Sequence, residues 1–316
     1  MQYQTTQSLA SHIKSMMNKL TFLFGMLLLS TTACTVKKTM KAEQLAFPSF
    51  SAEAHRGGRG LVPENTILAM KDAMSYPAVT TLEMDTHITK DGKVVVTHDD
   101  YLSSGFMLTP DGNEISPSDS KMYNVFQMEY DLLKKFDIGT KVNKDFPQQK
   151  KVKTYIPLLA DLIDSVQREI KTKNKKQYFY NIETKCSAKG DGVTNPTPPV
   201  FVKLLMDVIK LKKIEPYVVI QSFDKRTIQI INKEYPNIKT SFLVSNKKSY
   251  EENIGDLGYK PFIISPAYKM VNANFIGKAH ADGVKVIPWT VNTAEEIAAL
   301  KSLGVDGVIT DYTNLL

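Results

Sequence analysis

The sequence predicts an α/β fold, a (β/α)8 TIM barrel with an insertion after the second strand. Three observations lead there: eight short apolar runs, helical periodicity between them, and one long stretch that carries neither pattern. A chain of 316 residues, 42% apolar and 23% charged, is large enough to bury one core of that kind without a second domain.

The strand candidates are 50–54, 80–85, 177–182, 217–221, 239–243, 261–264, 285–289 and 307–309. Helical spacing of apolar residues falls between them, as at 64–74, 158–170, 199–211, 225–234 and 294–303. Regular alternation of strand and helix implies parallel strands with right-handed crossovers. Eight such units favour closure over an open doubly wound sheet, because eight tilted strands make a barrel that its own side chains just fill. Two stretches break the rhythm. Asp91-Gly92, between 84–88 and 94–97, signals a hairpin appended to the second strand. Residues 100–154 contain Asp111-Gly112 and Pro117 but no strand-helix repeat, and they are too long for a plain connection. They are expected to form an insertion over the barrel mouth that shapes the substrate pocket.

The first thirty-odd residues contain no acid, carry Lys14 and Lys19, and run through an apolar stretch at 20–29 before small residues and Cys34. That pattern reads as a secretory signal, since a membrane-spanning helix needs about 20 apolar residues. Ser30, Thr31, Thr32 and Ala33 ahead of Cys34 resemble a bacterial lipoprotein processing site, although Thr31 stands where Leu is usual. The expected organisation is a signal at 1–33, a polar tether at 34–48, and a barrel domain at 49–316 that includes the insertion at 100–154. Export to the periplasm or cell envelope follows, with Cys34 lipidated or, on the simpler alternative, removed or idle. Losing the two lysines takes the formal charge from +7 to +5. The remaining lysines are scattered rather than interleaved with aromatics, which argues against nucleic acid as a partner. Cys186 alone remains, so the domain stands without an intrachain disulfide.

In such a barrel the active site forms where the strands end at their C-terminal face. Polar residues expensive to bury cluster there: His55 and Arg56 after the first strand, Glu83 and Asp85 on the second, His98 after the hairpin, Glu183 and Lys185 on the third, Gln221 on the fourth and Trp289 on the seventh. Glu83 and Asp85 are two apart on a strand and share a face. With Glu183 they form an all-oxygen set of three carboxylates, suited to one hard divalent cation, Mg²⁺ or Ca²⁺. The alternative is an ion network with Arg56 and Lys185. Two histidines beside that set can give and take a proton, and Arg56 and Lys185 can meet phosphoryl oxygens. Together these are the parts that hydrolysis of a phosphodiester needs. Pro63-Glu64-Asn65-Thr66 reads as helix-start chemistry. His87, His280 and Cys186 are read as structural, and Trp289 as a pocket wall or a core residue.

The segments HRGGRGLVPENT at 55–66, LEMDTHITKDGKVVVTHD at 82–99, NIETK at 181–185, QSFD at 221–224, PWTVN at 288–292 and GVDGVITDY at 304–312 resemble those of the bacterial glycerophosphodiester phosphodiesterases. The resemblance runs from about Ser51 to the C-terminus. It implies a (β/α)8 barrel with an insertion after the second strand and one divalent cation. By residue it implies His55 and His98 as the acid-base pair and Glu83, Asp85 and Glu183 as metal ligands. Arg56 and Lys185 would be phosphate contacts, and Trp289 an aromatic wall for glycerol. The products implied are glycerol 3-phosphate and an alcohol such as choline or ethanolamine, with no obligate protein partner. The stretch YLSSGFML after Asp99 departs from the Arg-Thr-rich continuation of many members and leaves headgroup preference open. Two other readings remain: a related barrel phospholipase acting on lysophospholipids or phospholipids, favoured by a wide apolar groove, and a non-catalytic lipoprotein that binds phosphate esters.

Overall fold

The structure, a computed structural model, describes residues 46–316. The signal at 1–33, Cys34 and nearly all of the tether lie outside the described residues.

Nine strands form one sheet: β1 (Ser51–Ala54), β2 (Thr81–Ile88), β3 (Val94–Val96), β4 (Phe179–Thr184), β5 (Val218–Ser222), β6 (Lys239–Val244), β7 (Ile263–Pro266), β8 (Lys285–Val286) and β9 (Gly307–Thr310). Their order is β8-β7-β6-β5-β4-β2-β1-β9, parallel throughout, with β3 paired antiparallel to the end of β2. Backbone hydrogen bonds from Asp306 N to Val286 O, Ile309 N to Pro288 O and Val291 N to Ile309 O join the ends of that path. The result is the expected barrel, with β3 as the appended hairpin strand. Helices α1 (Ile67–Ala73), α3 (Leu159–Thr172), α4 (Pro198–Lys212), α5 (Lys225–Glu234), α6 (Tyr250–Leu257), α7 (Ala273–Ala281) and α8 (Ala294–Leu303) connect the strands, and α2 (Tyr130–Leu133) is a single turn within the insertion.

Several boundaries differ from the sequence reading by a residue or two, and two larger shifts have a backbone reason. The first helix begins at Ile67 rather than 64, because Asn65 has φ 56° and Thr66 caps the helix by accepting from Ala69 N at 3.0 Å. Glu64 and Asn65 are thereby released from the helix. β8 ends at Val286 rather than 289, because Pro288 has no N–H to give the ladder. Ile287 and Trp289 still donate to Ile264 O and Pro266 O.

Period-two alternation separates two environments on every strand. Leu82, Met84, Tyr180, Ile182, Val218, Ile220 and Val308 face outward and pack with the helices in the main core. Inward residues are largely polar. Ser51 Oγ donates to Glu53 Oε1 at 2.9 Å, Asn181 Nδ2 donates to Glu53 Oε2 at 2.7 Å and Gln221 Oε1 at 3.1 Å, and Gln221 Nε2 donates to Glu83 Oε1 at 2.7 Å. The barrel interior is therefore a hydrogen-bonded column that ends on Glu83. Its floor is apolar, with Phe47 meeting Phe179 and Phe262 edge-on, both at 5.1 Å between ring centres.

The insertion has a small core of its own, built from Leu102, Met107, Val125, Leu133, Phe136 and Ile138 with Val95 and Ile156. It is tied to the loop after β1 by Lys150 N donating to Leu61 O at 2.9 Å and Gln149 Nε2 to Arg59 O at 2.7 Å. Gly139 lets its segment cross another strand of chain, since a Cβ there would lie 2.1 Å from Val152 O.

Burial pushes the Glu53 carboxyl up to about 7, against its hydrogen bonds from Asn181 and Ser51. The folded chain therefore holds a proton here that the unfolded chain has lost, and stability falls as pH rises from about 4.5 to about 7. Glu53→Gln should match the parent near pH 4.5 and exceed it above pH 7, by on the order of 3 kcal/mol. Urea denaturation at the two pH values checks this; an equal difference at both would refute the assignment of the proton.

Candidate active site

The chain leaves β1 through His55, Arg56 and Gly57, and Arg56 takes the left-handed conformation at φ 50°, ψ 31°. That turn points the Arg56 N–H at Glu83 Oε2, 2.7 Å away. Gly57 and Gly58 follow at φ 79° and 89°, and a Cβ on Gly57 would lie 2.6 Å from Ala69 Cβ. The turn is thus pressed against α1, and glycine is the residue that permits both the dihedral and the approach.

Parallel register places Asp85 beside Glu183 and Glu183 beside Gln221. All three acids are buried, and one carboxylate oxygen from each lies within 4.8 Å of the others. Opposite ligands of a bound Ca²⁺ stand roughly 4.6–5.2 Å apart, so the spacing fits one hard cation. Each Glu83 oxygen accepts one hydrogen bond and keeps a lone pair free. Burial, then the Asp85 charge, pushes Glu83 well above the usual carboxylate range, and burial raises Glu183 to about 7. Asp85, despite burial, is held well below that range by Arg56 and Lys185. A divalent cation would offset both the burial of charge and the Asp85 repulsion that raise these two groups. The donor set therefore suits the metal that the sequence implies.

The ion network is present as well. Arg56 Nε lies 3.3 Å from Asp85 Oδ2, and its NH1 donates to Glu64 Oε1 at 2.8 Å. Lys185 Nζ lies 3.0 Å from Glu183 and 3.9 Å from Asp85. Asn65 donates to Asp85 Oδ2 at 2.9 Å and accepts from Asp85 N at 3.2 Å. Glu64 and Asn65, read from sequence as helix-start residues, reach into the site because the left-handed Asn65 turns the chain there.

His55 Nδ1 is 2.6 Å from Asp311 Oδ1. Asp311 also accepts from Arg59 Nε at 2.7 Å and from Asn292 Nδ2 at 2.7 Å. Burial lowers the His55 pKa, opposed by the Asp311 hydrogen bond. With Nδ1–H given to Asp311, a neutral His55 carries its lone pair on Nε2. His98 Nδ1 pairs with Asp99 at 2.6 Å, and its backbone oxygen accepts from the buried His87 Nε2 at 3.0 Å. His87 thus supports the segment that carries His98. His280 pairs with Asp306 away from the site, and burial raises the Cys186 thiol to about 12, which leaves it inert. Trp289 meets Phe223 edge-on at 5.4 Å and donates through Nε1 to Ser265 O at 2.9 Å. The structure brings His55, His98, Arg56, Lys185, Trp289, Glu83, Asp85 and Glu183 around one cavity of about 100 Å³.

The glycerophosphoryl diester phosphodiesterase family model matches residues 55–315, from the first of these histidines to the end of the last strand and its turn. The chain belongs to this family. A glycerophosphodiester phosphodiesterase of Bacillus subtilis (strain 168) is 28% identical over 305 residues, 93% of this chain and 94% of its own. One from Caldanaerobacter subterraneus is 29% identical over 258 residues, 82% of this chain and 92% of its own. A Silicibacter pomeroyi structure to which glycerophosphoryl diester phosphodiesterase activity is ascribed superposes with a TM-score of 0.74 at 25% identity, covering 86% of this chain and 93% of that one. This family member is an enzyme, a phosphoric diester hydrolase.

Asp311→Asn should lower kcat on the order of 10²–10⁴-fold, because the carboxamide no longer enforces the His55 tautomer. Losing the carboxylate also removes an influence that raises the His55 pKa. The acid limb of the kcat/KM profile should therefore move to lower pH. A profile that only drops, without moving, would assign Asp311 a purely structural role.

Proposed function

We propose that the chain hydrolyses glycerophosphodiesters to glycerol 3-phosphate and an alcohol, with one divalent cation and two histidines. The observation that carries this reading is the convergence of the three buried carboxylates, both histidines and two cationic side chains on one small cavity. Glu83, Asp85 and Glu183 would hold the ion, Mg²⁺ or Ca²⁺. The ion would offset charge on the phosphoryl oxygens as a Lewis acid. Arg56 and Lys185 supply fixed positive charge beside the same oxygens. His55, kept neutral by burial and oriented by Asp311, is placed to accept the proton of the attacking oxygen. His98 lines both this cavity and the larger cleft beside it, and so is placed to protonate the leaving alcohol. Trp289 offers a ring face to the glycerol.

The larger cleft weighs on the substrate class. Of its eighteen lining residues, four are apolar: Phe106, Ile115, Pro117 and Phe146. Nine of the eighteen are charged or titratable, which favours water-soluble diesters over lysophospholipids. The proposal also includes export and a lipid anchor at Cys34, supported by the apolar run and the small residues before it. Labelling of cells with radioactive palmitate should mark the full chain and not Cys34→Ala; equal labelling would refute the anchor.

The chain lacking residues 1–34 should release glycerol 3-phosphate from glycerophosphodiesters, lose that activity in EDTA and regain it with Mg²⁺ or Ca²⁺. His55→Ala and His98→Ala should each cost about 10²–10⁴-fold in kcat. Activity that survives EDTA would overturn the metal assignment, and activity that survives both histidine replacements would overturn the acid-base pair.

A further inference from the structure

One segment of the insertion, 143–150, closes on the loop that carries His55. Asn143 shapes it: its Oδ1 accepts from Asp145 N at 3.1 Å and its carbonyl from Phe146 N at 3.2 Å, and Phe146 O accepts in turn from Gln149 N at 3.0 Å. Phe146, Gln149 and Lys150 are thereby presented together. Lys150 N donates to Leu61 O at 2.9 Å and Gln149 Nε2 to Arg59 O at 2.7 Å. The Phe146 ring lies under the Arg59 guanidinium, 4.8 Å from its carbon, and meets the Tyr312 ring edge-on at 6.4 Å. Gly60, between Arg59 and Leu61, donates through its N–H to Asp311 O at 2.9 Å, and a Cβ there would lie 2.5 Å from the Tyr312 ring. Insertion, loop and the Asp311-Tyr312 turn are therefore packed with no room for a side chain between them.

Arg59 links this packing to the proposed base. Its Nε donates to Asp311 Oδ1 at 2.7 Å, the same oxygen that lies 2.6 Å from His55 Nδ1, and its NH2 donates to Oδ2 at 3.4 Å. A guanidinium edge laid along a carboxylate fixes the rotation of the carboxylate, because its donors form a rigid plane. Asn292 Nδ2 holds Oδ2 from the other side at 2.7 Å. The arginine itself hangs on a long stem whose side chain is 22% exposed. The barrel gives that stem Asp311 and, at 3.9 Å, Glu64. The insertion gives it the ring under its face and the amide on its carbonyl.

We infer that residues 143–150 are a clasp, and that Phe146 and Gln149, acting through Arg59 and Asp311, are positioning residues for His55. The inference rests on the proposed hydrolysis for the role of His55 and adds to it the part of the insertion that keeps this histidine in register. Asp311 holds the proton on Nδ1 only while its Oδ1 points at the ring, and Arg59 keeps it pointed there. Arg59 also lines the smaller cavity, so a direct contact with the phosphoryl oxygens is the reading to be separated from this one.

Phe146→Leu keeps apolar bulk but loses the ring face, and Gln149→Ala removes the amide tie from a residue that lines neither cavity. Each should lower kcat for glycerophosphodiesters about tenfold or more and move KM by less than about twofold, the mark of a misplaced base rather than a lost substrate contact. In a double-mutant cycle with Arg59→Lys, Phe146→Leu should cost nothing further once the guanidinium is gone. Phe146→Tyr, which keeps a ring under Arg59, should recover the lost kcat. The ¹⁵N signals of His55, recorded without substrate, should report a single tautomer with Nδ1–H in the parent and a mixture of the two in Phe146→Leu. An unmoved His55 signal, additive losses in the cycle, or a change confined to KM would overturn the clasp. A His55 signal that moves in a protein unable to hydrolyse any glycerophosphodiester would support the clasp and overturn the hydrolytic reading alone.

Discussion

Three carboxylates forced together at the mouth of a barrel set the terms for the rest of this structure. Glu83 and Asp85 share a face of β2, and register brings Glu183 beside Asp85. Their mutual repulsion, in a place that water scarcely reaches, would push all three towards the neutral form. The surrounding groups divide them instead. Arg56, Lys185 and Asn65 gather around Asp85 and keep it ionised, whereas Glu83 and Glu183 are left with raised affinity for protons. A site in that condition would bind the proposed cation by displacing protons, so its metal affinity would weaken as pH falls. The unusual backbone follows from the same demand. Arg56 adopts a left-handed turn at φ 50° to aim its N–H at Glu83, and Asn65 adopts another at φ 56° to reach Asp85. Such conformations cost of order 1–3 kcal/mol each and persist where the surroundings over-determine them.

The polar barrel interior extends that constraint downward. A purely apolar core would leave Glu83 with one supporting donor, the Arg56 N–H. Gln221 provides the second, Asn181 orients Gln221, and Glu53 orients Asn181. Gln221 both donates and accepts, whereas Asn181 donates through Nδ2 to both of its neighbours, so the column has a direction that side-chain rotation would break. It sets the carboxylate plane of Glu83 from within the barrel, down to Glu53 beside Thr81. Its cost is a second buried carboxyl, which stays tolerable near neutral pH because burial raises Glu53 to about 7.

Much of this was legible in the sequence, and the reason differs by residue. All eight barrel strands could be placed, because parallel strands buried on both faces read as compact apolar runs. The eight residues that gather at one cavity could be singled out by one rule, that polar strand ends at the C-terminal face are where an active site forms. The same rule gave Gln221 and extends to Asp311, just past the end of β9, which the sequence reading did not single out; an acid or amide standing alone at a strand end names no partner. Glu64 and Asn65 were hidden differently: as helix-start residues they fit a local rule, and their reach into the site depends on a left-handed turn that periodicity does not report. Glu53 left a signal too, an acid in the middle of a four-residue buried strand. Helices α6 and α7 span only eight and nine residues, too short for the 3.6-residue period to stand out.

The division between barrel and insertion has a physical logic of its own. Groups that must be held to a fraction of an ångström, the carboxylates and His55, sit on strands or on turns hydrogen-bonded against them. The insertion contributes the wall of the larger cleft from loops and single turns over a small separate core. Two of its backbone and amide ties, to Leu61 and Arg59, fall on the loop that runs on from His55 and Arg56. Arg59 is thus fixed at three points: its carbonyl to the insertion, its guanidinium to Asp311, and its face to Phe146. Any displacement of the insertion wall would be felt through Arg59 at Asp311, and through Asp311 at His55. A substrate that fills the cleft and steadies that wall would therefore also steady the proposed base, so contacts in the cleft can reach the proton transfer without touching it.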